Sequence, residues 1–533
     1  MTATTSPGET GNVPGDPGHV APTVPSQTPN RPLWSLGFGR RPTRVEAAAI
    51  LLVIAGCVLR FVSTGALWLD ESISNEIAKR PLGDLFSALR HDGSPPLYYL
   101  LLHAWIAVFG DSTFAVRSLS SVISLGALPL AWLVGKELGG RRLAGTMLLV
   151  TASTPYALRY ATETRMYELI FVEVLLGTWI YVRVRRTPTR RWLIATTLIT
   201  AALAYTHYWS FFLIGPVVAL LLYRRQWRIV GAMAASVILF APWLPSFFFQ
   251  IRKTGTPWAD PANLRIFSTS LTQWGGGGDF GSLLAVVMIP LAFMGATVLT
   301  RPARHRPLQL RIAGVPGVRA LAAFAALPLV VVVVFSSVLH TGYAVRYTGV
   351  CVPFYLLLVA RGLSVLPGPN LRTGVTGAVV VVGLVVGQQA ATTPRTQAGP
   401  IAEALRASAQ PGDVVAYCPD QLSPAVHRLL PASLGVTEIA YADPEGPSLV
   451  NWVDYAKRVE ALPPASFAQD VLRTAGPTHS VWFVSQDGYR VFGSDCSQVS
   501  SVLASERGVP TIAVGSNGGV YEHATLARFP GTR

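Results

Sequence analysis

The stretch Leu67–Tyr99, LWLDESISNEIAKRPLGDLFSALRHDGSPPLYY, holds two neighbouring carboxylates directly after an apolar segment long enough to cross a membrane. These are Asp70 and Glu71, and His91 and Asp92 follow ahead of two prolines. Acidic side chains at the mouth of a membrane span cost desolvation free energy, so they indicate a functional site. We predict that this loop is the catalytic one.

The composition around this loop is that of a membrane protein. Of the 533 residues, 50% are hydrophobic and 13% are charged, and the mean hydropathy is +0.41. A soluble globular chain of this size does not carry so few charges. The net charge of +15 does not indicate nucleic acid binding, because the arginines fall in short clusters between apolar runs, where they set membrane topology. The fold class predicted is an α-helical polytopic membrane protein.

Apolar segments of spanning length recur along the chain. A span needs about 17 to 25 mostly apolar residues. About eleven such segments are predicted, at about 45–67, 114–135, 143–159, 167–182, 192–207, 209–223, 229–249, 282–300, 320–339, 347–366 and 373–391. The segment Leu97–Phe109 is apolar but too short to span.

Arginine clusters decide the topology. If 97–109 does not span, the clusters between the spans all face the cytoplasm together with the N-terminal tail, as the positive-inside rule requires. If it does span, those clusters all face outward. We therefore expect a multi-pass protein of the cytoplasmic (inner) membrane, with a cytoplasmic N-terminus, one long external loop at 68–113, and an extracytoplasmic C-terminal region. Segment 97–109 is expected to be an embedded or interfacial helix.

Three parts of the chain differ in character. Residues 1–43 are rich in Pro, Gly, Ser and Thr, so a disordered cytoplasmic tail is expected. Residues 44–392 form the predicted transmembrane domain. In 393–533, short β-rich runs at 414–417, 438–441, 480–484 and 511–514 alternate with helical stretches, which predicts a small extracytoplasmic α/β domain. Its two cysteines, Cys418 and Cys496, either pair, if the region lies outside the cytoplasm, or remain free thiols.

Two readings of the acidic pair are open. A carboxylate at a low-dielectric boundary is a weaker acid than in water, so Asp70 can accept a proton from a hydroxyl near neutral pH, with Glu71 beside it. Alternatively, the pair caps the start of an interfacial helix, since acidic residues suit a helix N-terminus. His91 and Asp92 could orient a substrate or join Glu71 at a metal. No spacing matches a metal motif, so no metal and no other cofactor is predicted.

Three motifs together carry a resemblance to a known family. They are LWLDES, then HDGSPPLYYLLLHAWIAVFGDSTFAVRSLSSV, then ALRYATETRMYELI. Their combination and order resemble the membrane-embedded glycosyltransferases of the GT-C class, in particular the group of the protein O-mannosyltransferases and aminoarabinose lipid A transferases (glycosyltransferase 39-like). The similarity covers residues 45–220 and extends more weakly to 343–355. One departure is Ser94, where the family often has His.

The resemblance implies an activity and assigns roles. It implies a polyprenyl-phosphate sugar donor, chemistry on the external face of the membrane, and inversion of the anomeric centre in one displacement. Asp70 matches the acidic base of the family, and Glu71 matches its neighbour.

A lipid phosphate leaving group gains charge in the transition state, so cationic donors at the interface should face it. The outward-facing candidates are Arg159, Arg165, His207 and Arg346. The alternative for the arginines is snorkelling to lipid headgroups. Tyrosines cluster at the same boundary, where an aromatic belt alone would place them. Only Tyr98 and Tyr167, which adjoin other candidates, are added as substrate-binding residues.

The predicted function is therefore that of a membrane glycosyltransferase, hexosyl or pentosyl and mannosyltransferase-like. It transfers a sugar from a polyprenyl-phosphate carrier to a hydroxyl of a cell-envelope glycan, lipid or protein. Its partners are the lipid-linked donor, the envelope acceptor and membrane lipid. The first alternative is a transporter or flippase of lipid-linked sugars, although the ionisable residues gather at one face rather than at mid-span. The second is a scaffold that binds envelope glycan without catalysis.

Overall fold

Helices make up about 70% of the residues that the computed structural model describes. The structure describes residues 43–256, 259–297, 316–339 and 342–531. The tail predicted to be disordered, 1–43, lies outside the described residues except for its last one. The residues from Ala48 onward group into one compact unit.

The first half of the chain contains the acidic pair and the short apolar segment. Its helices are α1 (Arg44–Leu59), α2 (Leu69–Lys79), α3 (Leu82–Asp92), α4 (Leu97–Phe109), α5 (Thr113–Leu125), α6 (Ala127–Ser153), α7 (Pro155–Ala161), α8 (Tyr167–Arg186) and α9 (Arg190–Thr206). Helix α6 is broken at Gly139 and Gly140, whose backbone angles are not helical. The break falls between the two spans predicted at 114–135 and 143–159.

Apolar helices continue through the middle of the chain. They are α10 (Phe211–Tyr223), α11 (Trp227–Phe240), α12 (Leu244–Lys253), α13 (Arg265–Trp274), α14 (Gly278–Thr297), α15 (Pro316–Leu339), α16 (Val352–Val365) and α17 (Pro369–Thr392). In the described part of the chain, five stretches are long and apolar enough to cross a membrane: Thr113–Ser153, Trp227–Lys253, Gly278–Thr297, Val318–Ser336 and Pro369–Thr392. The protein is therefore a multi-pass membrane protein, while the count of about eleven spans stays a prediction.

Close helix contacts depend on glycine in this part of the chain. Gly295 of α14 and Gly362 of α16 each face the backbone of the other helix, and a Cβ on either would lie 1.9 Å from a carbonyl oxygen of the partner. Without a hydrophobic driving force between helices in lipid, such small residues let backbones approach and gain packing contacts. The two glycines therefore fix where α14 and α16 cross.

The predicted external loop consists of three short helices. Asp70 and Glu71 lie in the first turn of α2, where their charges favour the helix N-terminus. Helix α3 ends at Gly93, which has the positive φ of 86° that favours glycine. The apolar segment 97–109 is the 13-residue helix α4, as predicted, and its placement relative to the membrane stays a prediction.

The C-terminal region contains a five-stranded sheet. Its strands are β1 (Val414–Cys418), β2 (Thr437–Ala440), β3 (Val481–Ser485), β4 (Thr511–Val514) and β5 (Thr525–Phe529), in the order β2-β1-β3-β5-β4. Strand β1 pairs in parallel with β2 and β3, and β5 pairs antiparallel with β3 and β4. The helices around it are α18 (Ala398–Ser408), α19 (Ser423–His427), α20 (Tyr455–Ala461), α21 (Pro464–Ala475) and α22 (Asp495–Arg507).

Sequence patterns located four of these strands. The fifth, β5, was not expected because its five residues, TLARF, include Arg528. Cys418 and Cys496 form a disulfide that ties the end of β1 to α22, so of the two alternatives the structure has the paired one. A boundary between domains at 392/393, and the side of the membrane on which this region lies, stay predictions.

Candidate functional site

Asp70 lies between two arginines that are distant from it in sequence. Its carboxylate is 3.3 Å from the guanidinium of Arg346 and 3.9 Å from Nε of Arg165. The side chains of Asp70, Arg165 and Arg346 are 14%, 11% and 15% exposed. They are therefore mostly buried but reach open space, which is the arrangement that a reacting carboxylate and its cations require.

Tyr99 and Ser74 fix the position of Arg165. Arg165 donates hydrogen bonds to the hydroxyl of Ser74 at 2.8 Å and to that of Tyr99 at 3.0 Å. Tyr99 in turn donates to Asp92 at 3.1 Å. Burial raises the pKa of Asp92 above its ordinary value, against the opposing effect of Arg165. A chain of hydrogen bonds thus links Asp92, at the end of α3, to the arginine beside Asp70.

Aromatic rings surround Arg346. Its guanidinium lies 5.5 Å from the ring centre of Trp68 and 5.7 Å from that of Tyr347. His207 follows α9 and packs against Tyr347 with 5.2 Å between ring centres. Nδ1 of His207 accepts the backbone N–H of Trp209, so the neutral imidazole carries its proton on Nε2 and can donate from that side.

A cavity of about 1220 Å³ opens beside this cluster. It is lined by Asp70, Asp92, Arg165, His207 and Arg346 from the helical region. The C-terminal region supplies the other wall, which includes Trp452, Asp454, Tyr455, Lys457 and Arg490. The two regions together therefore enclose a volume large enough for a phosphate and a sugar.

A second cavity of about 420 Å³ lies next to the first. Asp70, Arg346, Trp452 and Arg490 line both cavities. The remaining wall of the smaller cavity comes mainly from Trp68, Leu69, Asp260, Gln421, Gln486, Gly488, Tyr489, Tyr521 and Glu522. The ion pair between Asp70 and Arg346 thus borders both cavities.

Glu71, the neighbour of Asp70, belongs to a different cluster. Its carboxylate is fully buried and accepts two hydrogen bonds from Arg117, at 2.6 and 2.8 Å, and one from the backbone N–H of Thr164 at 2.9 Å. Arg395 lies 3.8 Å from Glu71 and 3.6 Å from the buried Glu163. Burial alone would raise the pKa of Glu71, but Arg117, with Arg395 and Thr164, holds it below its ordinary value.

The fold is shared with a solved glycosyltransferase. ArnT, the aminoarabinose lipid A transferase, from Cupriavidus metallidurans in its apo state aligns with a TM-score of 0.57 at 14% identity, over 91% of this chain and 98% of that chain. ArnT bound to undecaprenyl phosphate aligns with a TM-score of 0.53 at 14% identity, over 91% and 97%. This chain has the GT-C fold. No family model matches it, and no curated protein matches its sequence significantly.

Within the GT-C fold, five of the residues predicted from sequence line one cavity. They are Asp70, Asp92, Arg165, His207 and Arg346. They come from five separate segments of the chain. The fold brings these distant residues to the wall of one cavity, and their roles in a reaction stay predictions.

The other predicted residues lie off the larger cavity. Arg159 is 4.0 Å from Glu163 and over the ring of Tyr160. His91 pairs with Glu445 of the C-terminal region at 3.2 Å. Tyr98 is buried and shares a hydrogen bond with Ser120. Tyr167 is buried, with its ring against Tyr160 and His207. None of these four residues lines the larger cavity, and their predicted substrate contacts stay predictions.

Several residues of the site were not found from sequence. Tyr99, rather than its neighbour Tyr98, reaches Arg165. Arg117 and Arg395 bind Glu71, and a lone arginine inside an apolar segment such as α5 is a signal for such a buried pair. The residues of the C-terminal wall gave no motif. Among the described residues no three His, Cys, Asp or Glu side chains group as a metal site would require.

Proposed function

We propose that this protein transfers a sugar from a polyprenyl-phosphate carrier to a hydroxyl acceptor of the cell envelope. The observation that carries the proposal is the position of Asp70, on the wall of the larger cavity and within 4 Å of both Arg165 and Arg346. The GT-C fold supports it, and the ArnT structure of that fold with undecaprenyl phosphate supports a polyprenyl phosphate as the carrier.

The reaction follows from the charges of this cluster. The phosphate of the donor takes the place of the Asp70 carboxylate as the partner of Arg165 and Arg346, since phosphate oxygens accept charge-assisted hydrogen bonds from guanidinium groups. Asp70 then accepts the proton of the acceptor hydroxyl. The acceptor oxygen forms a bond to the anomeric carbon, and the bond from that carbon to the phosphate oxygen breaks with inversion. The arginines stabilise the negative charge that the departing lipid phosphate gains.

The neighbouring residues have supporting roles in this proposal. Glu71 acts as a positioning residue, because its bonds to Arg117 and to the backbone of Thr164 join the first turn of α2 to the segment that carries Arg165. His207 donates to the donor phosphate or sugar from Nε2. Asp92 and Tyr99 hold Arg165 in place.

Chemistry on the outer face of the cytoplasmic membrane is part of the proposal. The arginine clusters between the spans are expected on the membrane face opposite the cavity, and the positive-inside rule supports a cytoplasmic location for that face. The disulfide between Cys418 and Cys496 supports an oxidising compartment for the C-terminal region, which walls the larger cavity. The sugar transferred is a hexose or a pentose, mannose first among the candidates, since the motifs resemble those of mannosyltransferases.

Transfer of radiolabelled sugar from polyprenyl-phosphate donors to envelope material tests this function. Asp70→Asn should lower turnover by about two or more powers of ten, the scale of general-base catalysis, and leave donor binding in place. The matched control is Asp84→Asn, because Asp84 is an exposed acid on α3. Full activity of Asp70→Asn would contradict the assignment of the base. Movement of donor across vesicles without any transfer would favour a flippase.

A topology experiment tests the side of the membrane. A membrane-impermeant thiol reagent should modify Ser448→Cys in intact cells, and Thr187→Cys only after permeabilisation. The native Cys57 and Cys351 are replaced by Ala in both variants, because they are free thiols. Labelling in the reverse order would mean that α4 spans the membrane.

A further inference from the structure

Four residues on the wall of the smaller cavity carry a polar side-chain atom to which the described chain gives no hydrogen-bond partner. Nε1 of Trp68 and side-chain oxygens of Gln421, Gln486 and Glu522 are buried and have no hydrogen-bond partner in the part of the chain that the structure describes. Three of these residues are almost fully buried, since Trp68, Gln421 and Glu522 are only 3%, 1% and 3% exposed. Each such group costs folding free energy, so their concentration at one cavity indicates that a ligand supplies the missing partners.

The chemistry of this wall fits one class of ligand. It combines amide and carboxyl groups with the rings of Trp68, Trp452, Tyr489 and Tyr521. The rings of Trp68 and Tyr521 lie 5.5 Å apart at right angles. A sugar ring presents hydroxyls at its edge, which pair with amides and carboxyls, and C–H faces, which pack on aromatic rings. The volume of about 420 Å³ also falls in the range of about 300 to 1,000 Å³ typical of small-molecule sites.

The protonated carboxyl of Glu522 adds a hydrogen-bond donor to this wall. Burial raises the pKa of Glu522 to about 8, although its carboxyl accepts the backbone N–H of Leu69 at 3.4 Å. At neutral pH the carboxyl is therefore mostly protonated, so it can donate as well as accept a hydrogen bond. A neutral hydroxyl-rich ligand uses both properties.

We propose that the smaller cavity binds the acceptor and that the acceptor is a carbohydrate hydroxyl. This inference rests on the proposed function, because it takes Asp70 as the base. Asp70 and Arg346 line both cavities, so an acceptor hydroxyl in the smaller one and a donor sugar in the larger one meet at Asp70. Inverting displacement needs this arrangement, in which the attacking oxygen and the departing phosphate lie on opposite sides of the anomeric carbon.

An anionic acceptor fits this cavity poorly. The carboxylates of Asp70 and Asp260 lie on its wall, together with the amide oxygens of Gln421 and Gln486. Arg490 on that wall already pairs with Asp260 at 3.2 Å. Carboxylates and amide oxygens attract hydroxyl donors and repel phosphate or carboxylate groups, which favours a neutral glycan end.

Two variants and a control test the cavity. Gln421→Leu keeps the side-chain volume and removes the amide, so the fold is retained. Tyr521→Ala removes an aromatic face from a residue that is 64% exposed, which also leaves the core intact. Gln498→Leu is the matched control, because Gln498 is exposed on α22. Ligand-observed saturation-transfer NMR on the purified full chain measures binding of methyl glycosides of hexoses and pentoses and of an uncharged Ser/Thr tetrapeptide.

The glycosides should bind the wild-type protein and Gln498→Leu equally. Gln421→Leu and Tyr521→Ala should lower glycoside affinity about tenfold, the scale of one lost hydrogen bond or packing contact. In the transfer assay, the same two variants should raise KM for a glycan acceptor and leave KM for the donor unchanged. Unchanged glycoside binding in both variants, or binding of the peptide in place of glycosides, would overturn the inference. Glycoside binding without any sugar transfer by the wild type would instead contradict the proposed function.

Discussion

Asp70 and Glu71 are neighbours in the chain and in the first turn of α2, but they belong to two ionic clusters that differ in what surrounds them. The cluster of Asp70 faces two cavities and pairs with its arginines at 3.3 and 3.9 Å. The carboxylate of Glu71 is fully buried and lines neither of these cavities, and Nε and Nη2 of Arg117 donate to it at 2.8 and 2.6 Å. Asp70 with Arg165 and Arg346 thus forms an open cluster, and Glu71 with Arg117 and Arg395 forms a closed one.

The difference teaches how the two clusters divide their tasks. A buried ion pair with complete hydrogen bonds holds two chain segments in register, because separating its charges in a low dielectric is costly. An ion pair on a cavity wall can exchange its partner for a ligand, because water or a phosphate can solvate the charges that separate. We therefore assign chemistry to the open cluster and positioning to the closed one.

The largest effect expected is on stability. Glu71→Gln leaves Arg117 buried without a charged partner, so it should lower the free energy of unfolding by about 3 to 5 kcal/mol. Asp70→Asn should cost much less, since the cavity solvates Arg165 and Arg346. Thermal unfolding of the purified protein, followed by intrinsic fluorescence, measures both. Equal destabilisation by the two substitutions would remove the distinction between the clusters.

The next effect concerns the leaving group. Arg346→Met removes a charge-assisted hydrogen bond to the phosphate, worth about 1.5 to 3 kcal/mol, so kcat/KM for transfer should fall roughly 10- to 100-fold. The control is Arg141→Met, which removes an exposed arginine near the break in α6. If both variants transfer sugar at the wild-type rate, Arg346 only neutralises Asp70.

A pair of adjacent tyrosines gives a smaller effect. Tyr99→Phe breaks the link between Arg165 and Asp92 and should lower kcat/KM roughly two- to tenfold, as expected for about 0.5 to 1.5 kcal/mol. Tyr98→Phe breaks only the hydrogen bond to Ser120, so it should change thermal stability and leave activity nearly unchanged. A larger activity loss in Tyr98→Phe than in Tyr99→Phe would mean that Tyr98, and not Tyr99, belongs to the open cluster.

The pH dependence of stability gives a further test, in which Glu522 and Glu71 should act in opposite directions. The pKa of Glu522 is raised to about 8 in the folded protein, above the unfolded value of about 4.3. Its contribution to stability is therefore present at low pH and lost as pH rises from about 4.3 through 8. The pKa of Glu71 is lowered, so its contribution is present above about 4.3 and lost as pH falls.

Melting temperatures of the wild type and Glu522→Gln between pH 5 and pH 8 measure this effect. The wild type should lose stability toward pH 8 more steeply than the variant. Over this pH range the unfolded wild type has lost the Glu522 proton while the folded protein still holds it, and the variant has no such proton. Parallel curves would mean that Glu522 does not titrate in this range.

Patterns in the sequence predicted much of the open cluster. Asp70, Arg165 and Arg346 were chosen because motifs and outward-facing turns identify polar residues at one membrane face, and the fold then brings them within 4 Å. Helix α4 and four strands of the sheet were also predicted within a few residues, because apolar runs and Pro or Gly turns bound them.

The closed cluster and the C-terminal walls could not be predicted in the same way. Arg395 lies in the polar segment after α17, and nothing in its local sequence indicates that it reaches Glu71 and Glu163. To choose Tyr99 over Tyr98, one must know which face of α4 points toward Arg165. The sequence of a 13-residue apolar helix does not show this. Gln421 and Glu522 border a cavity because the C-terminal region packs on the helices, and no local sequence pattern indicates that packing.

The contact between Glu522 and the backbone of Leu69 has an evolutionary consequence. It joins the C-terminal region to the helix turn that presents Asp70, so substitutions far along the chain act one residue away from the proposed base. In the proposed function, substitutions after residue 420 can therefore change which acceptor is modified, while the residues proposed to bind the donor stay the same.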